Sequence, residues 1–178
     1  MAVKIYLGAG RDATHKDFLK VDQIKHPNID IVHDLNKYPW PFKDNSIDVI
    51  LAFHVLEHLT DFERAFKELT RILKQGGVLH IKVPHFSAAG AFLEFHRTFF
   101  WYNSFTSKRM LSKNNLETSM YDKFELKFRK ICFEKKFLFY NRLVESLINQ
   151  GSMPQIYEHT FLRALFPAKE IEFILKKK

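Results

Sequence analysis

The segment Lys4-Ile5-Tyr6-Leu7-Gly8-Ala9-Gly10 joins a short apolar run to a turn that contains two glycines. Asp22 ends the next apolar stretch of the chain. Glycine allows the backbone to approach a ligand closely, and a carboxylate can accept hydrogen bonds from both hydroxyls of a ribose. The pattern therefore suits a nucleoside ligand, although a two-glycine turn after a strand is also common as a plain tight loop.

The composition is that of a folded chain. Hydrophobic residues make up 46% of the 178 residues, and no apolar run is long enough to cross a bilayer. A single cysteine, Cys132, leaves no internal disulfide and indicates a reducing, cytoplasmic location. It lies between Ile131 and Phe133, where we expect a buried thiol rather than a nucleophile. We expect one domain over residues 1–178.

The positive charge is concentrated in the second part of the chain. Residues 101–178 carry 15 Lys/Arg and 8 Asp/Glu, a net charge of +7 out of +8 for the whole chain. Such a surface suits an anionic partner, for example a nucleic acid, a phosphorylated substrate or an anionic membrane surface. A solvated basic surface without a ligand is the alternative.

Alternating strand and helix patterns predict a parallel sheet covered by helices. The predicted strands are residues 3–7, 18–22, 29–33, 47–53, 77–83, 123–133 and 170–175. Apolar residues at helical spacing predict a helix from Thr60 or Asp61 to Lys74, which Gly76 and Gly77 end. Residues 138–150 and 158–166 are expected to form short helices.

Acidic and histidine residues follow the successive predicted strands in a recognisable order. After the glycine turn and Asp22 come Asp34, then His54, then the Gly76-Gly77 entry into the fifth strand. Over residues 4–83 this order resembles the class I S-adenosylmethionine-dependent methyltransferases, especially the small group called methyltransferase type 11. The resemblance implies an α/β Rossmann-like fold with a mostly parallel seven-stranded sheet, an antiparallel last strand and helices on both faces.

Two departures from the family pattern concern the first helix. Asp12 occupies the position of the family's third glycine, and only 14 positions separate Gly8 from Asp22. This is too short for a full helix and a strand, so we expect the first helix to be reduced to a loop.

The resemblance implies S-adenosylmethionine as the cofactor and assigns its contacts to residues 1–83. The methionine moiety would lie against the glycine turn, the ribose against the end of the second strand, the adenine beyond the third strand and the sulfonium beyond the fourth. The corresponding residues are Leu7, Gly8, Ala9 and Gly10 for the methionine moiety, Asp22 for the ribose, Asp34 and Leu35 for the adenine, and Phe53 and His54 for the sulfonium side. Gln23 is expected as a further cofactor contact.

The stretch from His54 to His58 also allows a metal site. A helical turn would place His54, Glu57 and His58 on one face, and His85 would end the fifth strand nearby. Metal-dependent relatives that methylate catechol-type or ribose hydroxyls look similar around this Glu-His pair, but they carry glutamate where this chain has His54. The same pair is widespread in metal-free relatives, and we expect no metal here.

Residues 84–178 are expected to bind the methyl acceptor. His85 is the first candidate for a general base, with His54 and His96 as the others, because imidazole has a suitable pKa. The aromatic segment from Glu94 to Tyr102 is a candidate lid, in which Arg97 would pair with an anionic group. Alternatively, its aromatic side chains simply cover the sheet.

Three classes of function remain open at this level. The first is a methyltransferase that acts on an oxygen or nitrogen of a small-molecule or glycan-type acceptor. The second is an RNA or protein methyltransferase that uses the basic second half. The third is a non-catalytic partner subunit that retains a cofactor pocket. The sequence is compatible with a monomer or a homodimer.

Overall fold

A computed structural model of the protein describes residues 2–106, 122–134 and 141–178, and seven strands form its sheet. They are β1 (Lys4–Leu7), β2 (Leu19–Asp22), β3 (Ile31–Val32), β4 (Ile47–Phe53), β5 (Leu73–Pro84), β6 (Phe124–Cys132) and β7 (Glu170–Lys177). The α-helices are α1 (Phe62–Ile72), α2 (Asn141–Ile148), α3 (Met153–His159) and α4 (Leu162–Leu165). Short 3₁₀ helices cover Leu56–His58 and Ala89–Phe92.

The strands form a seven-stranded sheet in the order β3-β2-β1-β4-β5-β7-β6. The pairs β1–β2, β1–β4, β2–β3 and β4–β5 are parallel, whereas β7 is antiparallel to both β5 and β6. The predicted fold class, a Rossmann-like methyltransferase sheet with an antiparallel last strand, is confirmed. The strand order reverses beside β1, which in open α/β sheets is the place where ligands bind.

The connection from β1 to β2 consists of turns and irregular backbone, so the predicted reduction of the first helix is confirmed. The sheet face above this connection carries Tyr6 and Leu51. Phe18 and Ile29, from the connections before β2 and before β3, pack against these two side chains. In this region, loop side chains therefore provide the cover that a helix would otherwise supply.

Helix α1 covers the opposite face of the sheet. Asp61 caps its first turn by accepting a hydrogen bond from the backbone N–H of Arg64 at 2.9 Å. Phe66 and Leu69 are fully buried in the largest hydrophobic cluster, which also contains Phe105 and Phe173. This core therefore joins residues from both halves of the chain.

The end of α1 differs from the sequence expectation. The helix ends at Ile72, and β5 begins at Leu73 instead of at Gly77. Leu73 already has extended backbone angles and pairs with Ile47, and a register shift then separates this pair from the Val49–Val78 pair. Gly76 has a φ of +73°, which allows the chain to make this irregularity inside the strand.

The C-terminal helices also differ in their bounds. The helix expected over 138–150 covers Asn141–Ile148 among the described residues. The range 158–166 is not one helix: it contains the last two residues of α3 and the whole of α4, which Thr160 and Phe161 separate. In the ranges that the structure describes, none of the helices has the length and apolar character required to cross a membrane.

Candidate functional site

A cleft with a cavity volume of about 210 Å³, partly open to solvent, lies at the carboxyl ends of β1, β2, β3 and β4. Six of its lining residues were predicted as cofactor contacts, namely Gly8, Asp22, Gln23, Asp34, Leu35 and His54. Five were not, namely His33, Asn36, Val55, His58 and Leu59. All five lie in the segments that follow β3 or β4, but only His33 directly follows a strand, so the strand-end rule that selected Asp34 and His54 contained a direct signal for His33 alone.

The glycine turn is shaped by a close approach between Gly8 and Val55. Gly8 has a φ of +65°, and a Cβ atom at this position would lie 2.4 Å from Val55 Cγ2. The backbone N–H groups of Gly8 and Ala9 both donate to the carbonyl of Val21. Only glycine fits this position without displacing Val55, which itself lines the cleft.

Asp22 is held in place by two backbone donors. The N–H of Gly10 donates to Oδ2 at 2.8 Å, and the N–H of Ile24 donates to Oδ1 at 2.9 Å. Each carboxylate oxygen retains capacity to accept a further hydrogen bond. An ionised carboxylate with two preoriented oxygens can accept hydrogen bonds from both hydroxyls of a ribose, so this geometry fits the expected cofactor.

Asp34 and Leu35 form the part of the cleft beyond β3. Asp34 Oδ1 accepts from the backbone N–H of Asn36 at 3.0 Å, and Asn36 Oδ1 accepts from the N–H and hydroxyl of Thr60. Leu35 is buried, and its carbonyl accepts from the indole N–H of Trp40. A fixed carboxylate beside an apolar side chain suits a flat heterocycle with an exocyclic amine, which matches the predicted adenine site.

The remaining predicted cofactor contacts do not line the cleft. Leu7 is fully buried in the main core, and Ala9 lies in the small cluster on the loop-covered face. Phe53 belongs to that face as well, where its ring contacts Tyr6. Gly10 contributes through its hydrogen bond to Asp22 and not through the lining.

His54 lies between two carboxylates at the end of β4. Its Nε2 atom is 2.8 Å from Glu170 Oε2, and its Nδ1 atom is 3.5 Å from Glu57 Oε1. The Glu170 carboxylate, followed by that of Glu57, raises the pKa of His54 to about 9. The imidazole is therefore protonated at neutral pH, and this geometry does not support His54 as a general base.

The structure places His85 away from the cleft. Its side chain is fully buried, Nδ1 accepts from the N–H of Ser87 at 3.0 Å, and Nε2 is 3.1 Å from Glu158 Oε1. The same Glu158 oxygen accepts from the backbone N–H of Tyr102. His85 thus connects β5 to α3, and its burial gives an acceptor no direct access to it. The geometry does not support our first choice of general base.

His96 lies beside the cleft through its contact with His58. The two imidazole rings are 4.7 Å apart between their centroids, and His96 Nδ1 is 3.2 Å from the carbonyl oxygen of Ala91. The four-residue metal set that the sequence suggested is not assembled, because His85 lies elsewhere. Among the described residues, Glu57, His58 and His96 instead form a group whose potential ligand atoms lie within 4.8 Å of one another.

The aromatic segment after β5 contributes both to the core and to the surface. Phe100, Tyr102 and Phe105 are buried. Phe92 and Phe95, by contrast, are 67% and 50% exposed, and the Phe95 ring is 5.4 Å from that of His58. The exposed rings therefore lie next to a residue of the cleft, whereas the others fill the core.

The chain matches known families in this same region. Residues 11–81 match the methyltransferase domain family that is called type 11. A probable S-adenosylmethionine-dependent methyltransferase from Mycolicibacterium smegmatis is 38% identical over 61 residues. That match covers 34% of this chain and only 23% of the length of the relative.

Solved structures match the chain over its full length at low identity. An S-adenosylmethionine-dependent methyltransferase from Mesorhizobium loti is 14% identical, with a TM-score of 0.58 and coverage of 99% of this chain and 91% of that one. Geranyl diphosphate C-methyltransferase from Streptomyces coelicolor, solved with Mg²⁺, geranyl diphosphate and S-adenosyl-L-homocysteine, is 12% identical. Its TM-score is 0.59, with coverage of 100% of this chain and 73% of that one.

These likenesses agree with the strand order described above, and the matches to S-adenosylmethionine-dependent methyltransferases support S-adenosylmethionine as the cofactor. The arrangement of Gly8, Asp22, Asp34 and Leu35 around the cleft is compatible with a nucleoside. Residues 11–81 are thus similar to the methyltransferase type 11 domain, and the seven-stranded sheet has the fold of the S-adenosylmethionine-dependent methyltransferases named above.

Proposed function

We propose that this chain transfers the methyl group of S-adenosylmethionine to an oxygen or nitrogen of a small-molecule or glycan-type acceptor. The observation that carries the proposal is the cleft in which Asp22, Asp34 and Gly8 converge at the carboxyl ends of three strands. Residues 1–178 would act as one domain, in which the first half binds the cofactor and the second half binds the acceptor.

Methyl transfer from a sulfonium needs in-line positioning more than acid–base chemistry. The acceptor atom bonds to the methyl carbon while the C–S bond breaks, and the electron pair of the C–S bond stays on sulfur to give S-adenosylhomocysteine. The proton of the acceptor O–H or N–H is released to solvent. Holding the reactants in line and excluding water supplies most of the acceleration. The protonated state of His54 and the burial of His85 agree with a site that does not depend on these residues as bases.

The surface beside the cleft supports a small acceptor with an apolar or flat part. Phe92 and Phe99 are both exposed and their rings are 5.4 Å apart, while Phe95 is near His58 at the cleft. Exposed aromatic side chains in contact with one another favour an apolar ligand surface. Arg97 is exposed in the same segment and is available to an anionic group of the acceptor.

The test is to incubate the protein with tritiated S-adenosylmethionine and fractionated cell extract. Label in the small-molecule or glycan fraction supports the proposal, and an Asp22→Asn variant should reduce that label when S-adenosylmethionine is not saturating. Label confined to RNA or protein would assign the alternative that the basic second half suggests. Cofactor binding in a titration without any transfer would identify a non-catalytic partner subunit.

A further inference from the structure

Two backbone hydrogen bonds bring a histidine from the second half of the chain to the cleft. The carbonyl of Glu57, in the 3₁₀ helix after β4, accepts from the N–H of Arg97 at 2.7 Å and from the N–H of Thr98 at 3.4 Å. These two hydrogen bonds hold the chain just before Arg97 against the 3₁₀ helix. As a result, the His96 ring lies 4.7 Å from the ring of His58, a residue that lines the cofactor cleft.

The carboxylate of Glu57 has an oxygen that lacks a protein partner. Glu57 is 1% exposed, and its Oε1 atom faces His54 at 3.5 Å. Its Oε2 atom is fully buried and has no hydrogen-bond partner within the part of the chain that the structure describes. An uncompensated buried carboxylate oxygen is costly, so such atoms are generally paired with a donor or a cation.

The histidines present ring nitrogens in a suitable state. His96 Nδ1 is 3.2 Å from the Ala91 carbonyl, which can only accept, so Nδ1 carries a proton and Nε2 is the ring nitrogen that is left to bind an ion. A histidine that binds a metal typically donates its other N–H to a carbonyl in this way, which fixes both the tautomer and the ring orientation. For His58, no side-chain hydrogen bond is found among the described residues.

The spacing of these groups is compatible with a single ion. A carboxylate oxygen and one nitrogen from each histidine lie within 4.8 Å of one another. Ligand atoms that share an ion at about 2.0–2.2 Å are roughly 3–4 Å apart. Because His58 and His96 are only half-buried, small rotations of the two side chains are enough to bring their nitrogens to this distance.

We propose that Glu57, His58 and His96 bind one divalent transition-metal ion at the edge of the cofactor cleft. Two imidazoles and one carboxylate suit Zn²⁺, Fe²⁺ or Co²⁺, whereas Mg²⁺ and Ca²⁺ prefer oxygen ligands. This site differs from the set that the sequence suggested, because His96 replaces His85 and His54. It also departs from the metal-free state that we expected from the sequence.

Three protein ligands leave at least one coordination position for another molecule. Since His58 lines the cleft, that position would be accessible to an oxygen of the acceptor. This role rests on the proposed function, and it specifies an acceptor that presents a metal-binding oxygen. Coordination would lower the pKa of an acceptor hydroxyl.

The experiment is a Co²⁺ titration of the full chain without an affinity tag, after treatment with EDTA and dialysis. Co²⁺ bound to nitrogen and oxygen ligands absorbs visible light, and Zn²⁺ should displace it with loss of that absorption. We expect one equivalent of bound Co²⁺, confirmed by elemental analysis. His58→Ala and His96→Ala should each weaken the apparent affinity at least about tenfold, since even the loss of a supporting hydrogen bond has an effect of that size.

The matched control is His159→Ala, which removes an exposed histidine at the end of α3 and should leave the titration unchanged. The Glu57→Gln variant should also fail to bind the ion. If this substitution of a buried residue prevents folding, the two histidine variants still decide the test. The proposal is overturned if His58→Ala and His96→Ala bind Co²⁺ as the parent chain does, or if the parent chain binds none. A parallel titration with S-adenosylmethionine reports on the cofactor cleft separately, so the two proposals can fail independently.

Discussion

The close approach of Gly8 to Val55 allows a quantitative test of how the glycine turn is built. Replacing Gly8 by alanine adds a Cβ atom at 2.4 Å from Val55 Cγ2 and 2.6 Å from Val55 Cβ, at a φ of +65°. Gly10→Ala is the matched control, because Gly10 has a similar φ of +53° but no atom within 4 Å of the added Cβ. The two substitutions share the backbone strain and differ in the steric clash.

The expected losses in the free energy of unfolding follow from these two contributions. A left-handed backbone conformation costs an alanine about 1–2 kcal/mol, which should be the whole effect of Gly10→Ala. Overpacking adds about 1–3 kcal/mol, so Gly8→Ala should lose roughly 2–5 kcal/mol. Because Val55 lines the cleft, its displacement should also weaken S-adenosylmethionine binding more in Gly8→Ala than in Gly10→Ala.

The assay is urea unfolding of both variants and the parent chain, together with calorimetric titration of S-adenosylmethionine. Linear extrapolation gives the free energy of unfolding, and an unchanged slope confirms that the same transition is being compared. If the two variants lose the same stability within about 0.5 kcal/mol, the clash with Val55 has no energetic effect, and the reasoning from Cβ distances fails.

Three further predictions concern the cofactor, the cysteine and a buried lysine. Asp22→Asn should weaken S-adenosylmethionine binding about 10–100-fold in calorimetry, because it removes the charge from a hydrogen-bond acceptor; unchanged affinity would place the ribose elsewhere. Burial is the main cause, and the nearby carboxylate of Glu145 the second, that raises the pKa of Cys132 to about 11. The rate at which Cys132 is alkylated should therefore be low at pH 7 and rise about tenfold per pH unit up to pH 10. A fast, pH-independent reaction would contradict this. Lys177→Met should lower the free energy of unfolding by about 1–3 kcal/mol, because Lys177 Nζ donates hydrogen bonds to the carbonyls of Thr70 and Leu73 in the core. The control is Lys176→Met at the exposed neighbouring position, which should change the free energy of unfolding by less than about 0.5 kcal/mol.

Part of the cleft lining was predictable because its residues are encoded locally. Gly8, Asp22, Asp34 and His54 each follow an apolar strand, and the carboxyl ends of parallel strands meet at one edge of the sheet. The rule requires only the strand positions and the parallel order, which the periodicity of the sequence reveals. It does not resolve which side chain of a turn points into the cleft, and for this reason Leu7 and Ala9 were assigned to the cofactor although they are buried.

The surroundings of the candidate general bases could not be predicted in the same way because they depend on contacts between distant parts of the chain. His85 meets Glu158, 73 residues away, and His54 meets Glu170, 116 residues away. The first contact converts an expected base into a buried structural group, and the second raises the pKa of an expected base. Such pairs cannot be identified from the spacing of residues in the sequence. Whether the two side chains meet depends on how β7 and α3 pack against the ends of β4 and β5.

The short β1–β2 connection shows how the cofactor turn is supported without a first helix. The Asn28 side chain donates to the carbonyls of Gly10 and Asp12 at 3.2 and 2.8 Å, and Lys20 Nζ donates to the Asp12 carbonyl at 2.7 Å. In a helix these carbonyls would accept from backbone N–H groups, so side chains of the following residues replace the helical hydrogen bonds. A turn held in this way lacks the aligned peptide dipoles of a helix N-terminus, and recognition of the cofactor's carboxylate must therefore rely on individual N–H groups or a cationic side chain.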